Sequence, residues 1–129
     1  MPDAQAAPKA LPVVLLVDDE PLLLESLAEE LKESCRLYTA TSAAEAELRL
    51  AARRYDVIVC DHMLPGEQGL DFLMRVMEMV PSTRRILMTG YTNPEFIARS
   101  TSLAGLSACL IKPLRASDVA AAVTSALAK

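Results

Sequence analysis

Tyr55-Asp56-Val57-Ile58-Val59-Cys60-Asp61-His62-Met63-Leu64-Pro65-Gly66 decides how the chain is read, because an unbroken apolar run ends in a single carboxylate. A strand covered on one face alternates apolar and polar residues, whereas a strand covered on both faces is apolar throughout. Three other stretches have the same form. Val13 to Val17 runs into Asp18-Asp19, Ile86 to Met88 into Thr89, and Leu110-Ile111 into Lys112. In an open parallel sheet, ligands bind outside the carboxyl ends of the strands. Residues remote in sequence, each just past a strand, therefore meet at one edge and build one site from four loops.

The intervening segments supply the crossovers. Pro21 suits the first turn of a helix, with Asp19-Glu20 at the positive end of its dipole and Leu23, Leu24, Leu27 and Leu31 at helical spacing. Arg36 to Thr39 reads as a short strand, and Ser42-Ala43-Ala44-Glu45 has capping-box spacing before a helix to about Arg53. Pro65-Gly66 and Gly69 shape the loop after Asp61. A stripe of Leu70, Leu73, Val76, Met77 and Val80 follows and is stopped by Pro81. Asn93-Pro94 offers an N-cap and first-turn proline to a fourth helix whose apolar face is thin, with Gly105 ending it. Ala108 to Ile111 is the fifth strand, and Val119, Val123 and Leu127 mark a last, alanine-rich helix from about Ser117. Five strands alternating with five helices give an α/β, doubly wound parallel sheet with right-handed crossovers.

With 129 residues, 52% of them hydrophobic, the chain has the size of one domain. Residues 1–10 read as a flexible tail and 11–129 as the domain. A net charge of -4 is the wrong sign for holding nucleic acid. The Arg53-Arg54 and Arg84-Arg85 pairs read as solvated charge. Cys35, Cys60 and Cys109 lack Cys-x-x-Cys spacing and read as reduced core residues, and a lone His62 gives no second imidazole for zinc. No apolar run approaches the roughly 20 residues that span a bilayer, so the expectation is a soluble, cytoplasmic protein.

Adjacent carboxylates at one strand end and a third at another repel, and a hard cation offsets them. Mg2+ takes oxygen ligands, characteristically one or two carboxylates with a phosphate oxygen. Asp19 and Asp61 are the expected direct ligands, Asp18 binds directly or through water, and the carbonyl of Met63 is a backbone candidate. An aspartate is also a competent nucleophile toward phosphorus. Asp61 is the expected phosphoacceptor, with Lys112 as a point charge on the phosphoryl group and the Thr89 hydroxyl as a hydrogen-bond donor to it. His62, next to Asp61, is expected to point away from the acceptor and to take no part in the chemistry.

These residues resemble a known family. Leu16-Val17-Asp18-Asp19-Glu20-Pro21, Asp61-His62-Met63-Leu64-Pro65-Gly66 with Gly69, Thr89-Gly90 and Lys112-Pro113 are similar to the receiver domain of bacterial two-component response regulators, and the likeness runs from about Val13 to Leu127. The resemblance implies a flavodoxin-like (βα)5 fold with strand order 2-1-3-4-5. It implies a sensor histidine kinase or phosphotransfer protein as phosphodonor, with Mg2+ present, and a phosphoprotein signalling switch, not a turnover enzyme. It also implies that phosphorylation draws Thr89 inward while an aromatic residue three positions before the lysine turns into the vacated space. That position is Cys109 here.

The departure at Cys109 motivates an alternative, a receiver-like interaction module that works without phosphorylation. Tyr91 is either a replacement gate or an ordinary loop aromatic. A hydrolase of the haloacid dehalogenase type requires a second aspartate two residues after the nucleophile, where this chain has Met63. The thin fourth helix points to the fourth helix, fifth strand and fifth helix as the output surface, where a second copy could also dock. Thr89-Gly90-Tyr91 is similar to receivers joined to cyclic-dinucleotide phosphodiesterase modules.

Overall fold

Val57 to Asp61 is buried along its whole length and forms the middle strand of the sheet. The computed structural model describes residues 10–128, so the expected tail lies, apart from Ala10, outside the described residues. In chain order the elements are β1 (Val13–Val17), α1 (Pro21–Leu31), β2 (Arg36–Ala40), α2 (Ala43–Ala52), β3 (Val57–Asp61), β4 (Met63–Leu64), β5 (Glu67–Gln68), α3 (Gly69–Met79), β6 (Arg84–Thr89), α4 (Pro94–Ala104), β7 (Ala108–Ile111) and α5 (Ala116–Leu127). The parallel sheet runs β2-β1-β3-β6-β7, the expected order 2-1-3-4-5 once the hairpin β4–β5 is set aside. That hairpin was not anticipated. Pro65-Gly66 turns it, and Gly66 takes a φ of 85°, which a β-carbon would disfavour.

Alternation along each buried strand builds two cores. Leu15, Val17, Ile58, Cys60 and Leu87 face α2, α3 and α4 through Ala46, Phe72, Leu73, Val76 and Ala104. Val14, Leu16, Val59, Ile86 and Met88 face α1 and α5 through Leu24, Leu27, Leu31, Val119 and Val123. Continuous apolar strands are what this two-sided burial requires. Most of the expected helical stripes are buried. Leu127, however, is 39% exposed as the last residue of α5.

The helix ends follow the local signals. Ser42 Oγ accepts from the Glu45 N–H at 3.1 Å, while the Glu45 carboxylate bonds the Thr41 N–H instead of closing a reciprocal box. Asn93 Oδ1 caps α4 by accepting from Glu95 and Phe96, and Gly105 closes it in the left-handed conformation at φ 57°. Helix α4 is as thinly held as its sequence suggested, since only Ser100 and Ala104 are buried in it.

One expectation about charge fails. Arg85 is not solvated: its guanidinium is buried and donates to the carbonyls of Ala104 at 2.8 Å, Thr83 at 2.7 Å, Gly105 at 3.2 Å and Pro81 at 3.3 Å. A buried cation must be hydrogen-bonded, and the carbonyls left over at the end of α4 supply two of the four acceptors. Arg53 is half-buried too, stacked 4.8 Å over the Tyr38 ring and donating to its hydroxyl at 2.5 Å. Arg54 and Arg84 are exposed. Among the described residues no helix is long and apolar enough to cross a membrane.

Candidate functional site

The ladders bring the expected residues to one edge. Cys60 pairs with Val17 and Asp61 with Met88, so Asp18 follows beside Asp61 at the ends of β1 and β3. Past the strands, His62 N–H donates to Met88 O and Lys112 N–H to Thr89 O, both at 2.8 Å, which extends the register into the loops. The Lys112–Pro113 peptide bond is cis. Gly69 N–H donates to His62 O at 2.7 Å, seating α3 directly beneath the loop that carries the acceptor. A β-carbon at Gly69 would overlap the carbonyl of Asp61, so the close approach needs glycine.

Lys112 Nζ lies 2.9 Å from Asp61 Oδ1 and 3.1 Å from Asp18 Oδ2. Asp18 is fully buried, and its other oxygen accepts from the Glu20 N–H at 3.0 Å. Asp19 is exposed at the rim. Oxygens of Asp18, Asp19 and Asp61 lie within 4.8 Å of one another. Three carboxylates against one ammonium leave surplus negative charge, and an all-oxygen donor set of this size fits a hard divalent cation such as Mg2+. Asp19, Asp61, Met63 and Lys112 line a cleft of about 410 Å³ together with Glu20, His62, Gly90 and Tyr91. Asp18 sits beneath it, tied to Lys112.

Titration follows this crowding. Burial pushes the Asp61 carboxyl above the usual carboxylate range, and the Asp18 charge adds to the rise, against the bond to Lys112. Burial pulls the Lys112 ammonium down, but hydrogen bonds to Asp61 and Asp18 outweigh it and the net shift is upward. The asymmetry is physical: the lysine serves two carboxylates, whereas each carboxylate has a fraction of one ammonium. Burial lowers the His62 imidazole, opposed by Asp61, which favours the neutral ring. The three cysteines are free, and burial raises all three thiols, Cys60 most of all. That is the behaviour of core residues.

Thr89, like Asp18, is an expected site residue that does not line the cleft. It is fully buried, its Oγ1 accepts from the Tyr91 N–H at 3.0 Å, and the same oxygen lies 3.1 Å from His62 Nδ1. His62 turns to the face opposite Asp61, as strand alternation requires, but the destination there is Thr89, which the sequence reading did not foresee. The His62 ring packs 4.9 Å from Tyr91 and 4.8 Å from Phe96, and Tyr91 lies 5.4 Å from Phe96. Cys109, at the position where the family pattern has an aromatic, is partly buried against the first core.

Comparison with known proteins agrees with this architecture. Residues 14–124 match the family described as response regulator receiver domain. The chain is 39% identical over 100 residues to the hydrogenase transcriptional regulatory protein HoxA of Cupriavidus necator, covering 78% of this chain and 21% of HoxA. It is 33% identical over 113 residues to the DNA-binding transcriptional activator DevR/DosR of Mycobacterium tuberculosis, covering 85% of this chain and 52% of DevR/DosR. The chain therefore spans about a fifth to a half of the length of these relatives. The solved signal receiver domain of an HD domain-containing protein from Pseudomonas fluorescens Pf-5 superposes with a TM-score of 0.83 at 31% identity, covering 95% of this chain and 91% of that one. Fold, strand order and family match together place this chain in the response regulator receiver domain family.

Proposed function

We propose that the chain is a phosphoacceptor switch that receives a phosphoryl group on Asp61 from a sensor histidine kinase or phosphotransfer protein. The observation that carries the reading is the position of Asp61 in the cleft, 2.9 Å from Lys112. Asp18 has its oxygens engaged beneath the cleft, and Asp19 stands at the exposed rim. Of the three carboxylates, Asp61 alone combines access with a fixed cation beside it.

In the transfer, a carboxylate oxygen of Asp61 bonds to phosphorus as the bond from phosphorus to the donor nitrogen breaks, the electron pair leaving with that nitrogen. The product is an acyl phosphate. Positioning and charge stabilisation are most of what a protein contributes to such a step. Lys112 is placed to follow the negative charge from Asp61 onto the phosphoryl oxygens. Receiver domains generally bind Mg2+ at an acidic pocket, and Asp18, Asp19, Asp61 and the carbonyl of Met63 are the groups assigned to it here. Bound there, Mg2+ would neutralise the carboxylates and the phosphoryl oxygens. An apolar groove of Leu23, Leu27, Pro113 and Leu114 opens beside Lys112, which suits a protein donor over a small one.

The test is intact mass after incubation with Mg2+ and acetyl phosphate, run beside Asp61→Asn. One phosphoryl adduct on the original chain and none on the variant is the expected result. Cys109 in the aromatic position favours the second reading, an interaction module that works without phosphorylation. Absence of any adduct, with no Mg2+ binding by calorimetry, would select that reading.

A further inference from the structure

Thr89 is buried behind the lining of the cleft in which the proposed chemistry takes place, and the group its hydroxyl meets is His62. A threonine hydroxyl has one proton to donate and two lone pairs. One lone pair already accepts from the Tyr91 N–H at 3.0 Å. Were His62 also to donate from Nδ1, the hydroxyl proton would be left without an acceptor inside a residue with no exposed surface, a loss that buried groups avoid. The proton therefore points to Nδ1 across the 3.1 Å contact, and His62 carries its own proton on Nε2. Thr89 cannot donate to a phosphoryl oxygen while that bond stands.

We propose that His62 is a positioning residue for Thr89: its Nδ1 holds the hydroxyl proton until a phosphoryl oxygen on Asp61 competes for it, and its ring signals the exchange to α4. This rests on the phosphoacceptor reading and extends it. No proton changes hands. The Oγ1–H of Thr89 exchanges one acceptor for another, and Nδ1 is left without its donor. The imidazole is wedged between Tyr91 and Phe96 at 4.9 and 4.8 Å. Phe96 lies in the first turn of α4, in which only Ser100 and Ala104 are buried. Loosening one ring of this cluster therefore acts on a helix held by few buried contacts. The link lies on the loop side of the sheet and does not involve Cys109.

His62 is the single histidine of the chain, so its ring nitrogens can be followed by 15N NMR without assignment. In the free protein Nδ1 is expected to be unprotonated and shifted by the bond from Thr89, with the proton on Nε2. Saturation with Mg2+ and beryllofluoride, a phosphoryl mimic, is expected to move Nδ1 toward the value seen in unligated Thr89→Ala, and the mimic is expected to leave Nδ1 of that variant in place. His62→Phe, which keeps a ring but removes the acceptor, is expected to form the acetyl phosphate adduct about two- to tenfold faster, the range for one hydrogen bond. His62→Asn, whose Oδ1 can stand in for Nδ1, is expected to return toward the original rate.

Nδ1 unmoved in protein that mass spectrometry shows to accept a phosphoryl group would overturn the inference and leave the acceptor reading intact. An equal shift in Thr89→Ala would overturn it as well, since the cause would be charge acting through space. No adduct on Asp61 would remove the reading and the inference together. The measurements on the unaltered chain stand even if His62→Phe fails to fold.

Discussion

At the amino ends of the strands, Asp56 Oδ2 accepts from the Val13 N–H at 2.8 Å, Thr83 Oγ1 donates to Tyr55 O at 2.9 Å, and Arg85 reaches four carbonyls. At the carboxyl ends, one ammonium is divided between Asp18 and Asp61, and Asp19 stands exposed beside them. Both edges hold buried ionisable groups. They differ in what is left over: polar capacity is matched to backbone at the first edge, whereas the second carries surplus charge that a ligand would complete. Stability and function are separated along the strand direction by about the length of five residues.

The separation makes opposite predictions for substitutions at the two edges. Arg85→Met leaves several buried carbonyls without donors and is expected to lower unfolding free energy by about 3 kcal/mol in urea melts, with the Mg2+ response unchanged. An altered Mg2+ response in that variant would show that the edges are coupled. Gly69→Ala drives a methyl group into the Asp61 carbonyl and is expected to cost about 2 kcal/mol and to slow adduct formation, because the acceptor loop must shift. This position lies at the carboxyl edge, where it joins packing to the site.

Asp61→Asn should act in the reverse sense, abolishing the adduct while raising the melting temperature in the presence of a chelator. The sign follows from the raised carboxyl. Its folded-state pKa lies above the ordinary 3.8, so its stabilising contribution is complete below that value and is lost as pH rises through the raised one. The gap between the original chain and the variant should therefore open as pH increases through that window. Adding Mg2+ should narrow the gap by stabilising the original chain, by about 2.7 kcal/mol at a hundredfold excess over Kd. Thr83→Val removes one buried bond to Tyr55 O and should cost about 1 kcal/mol without touching either ligand response. The smallest effect is at Glu45, whose carboxyl is lowered by its bonds to the Thr41 N–H and hydroxyl. That contribution is present above the ordinary 4.5 and is lost as pH falls through the lowered value, so Glu45→Gln should differ from the original chain only in melts at neutral pH.

How much of this was legible in the sequence depended on whether a signal was local. Strand ends were readable because burial on both faces leaves an apolar run with an abrupt polar stop, and the stops at Asp18, Asp61 and Lys112 do converge. Asn93, Pro94 and Gly105 announced the limits of α4 through backbone rules that involve only neighbours. Arg85 was misread, and the partner of His62 was missed, for the opposite reason. The carbonyls that bind Arg85 come from Pro81, Thr83, Ala104 and Gly105, and two of these belong to the end of α4, about twenty residues away. Nothing near position 85 records these two. His62 was correctly expected to turn from Asp61, but its partner is set by the register of β3 against β6, which places His62 beside Thr89. The spacing between two strand ends held that information, and it becomes legible only once the ladder is known. The β4–β5 hairpin escaped for a simpler reason, since two-residue strands carry no periodicity.

The central claim is that Asp61, and not the neighbouring Asp18 or Asp19, becomes the acyl phosphate. Borohydride reduces an acyl phosphate to an alcohol with release of phosphate, converting the phosphorylated aspartate to homoserine and leaving a mark that survives digestion. After incubation with Mg2+ and acetyl phosphate, tandem mass spectrometry of the reduced protein is expected to find homoserine at position 61. Homoserine at position 18 or 19, or at none of the three in protein that binds Mg2+, would contradict the account.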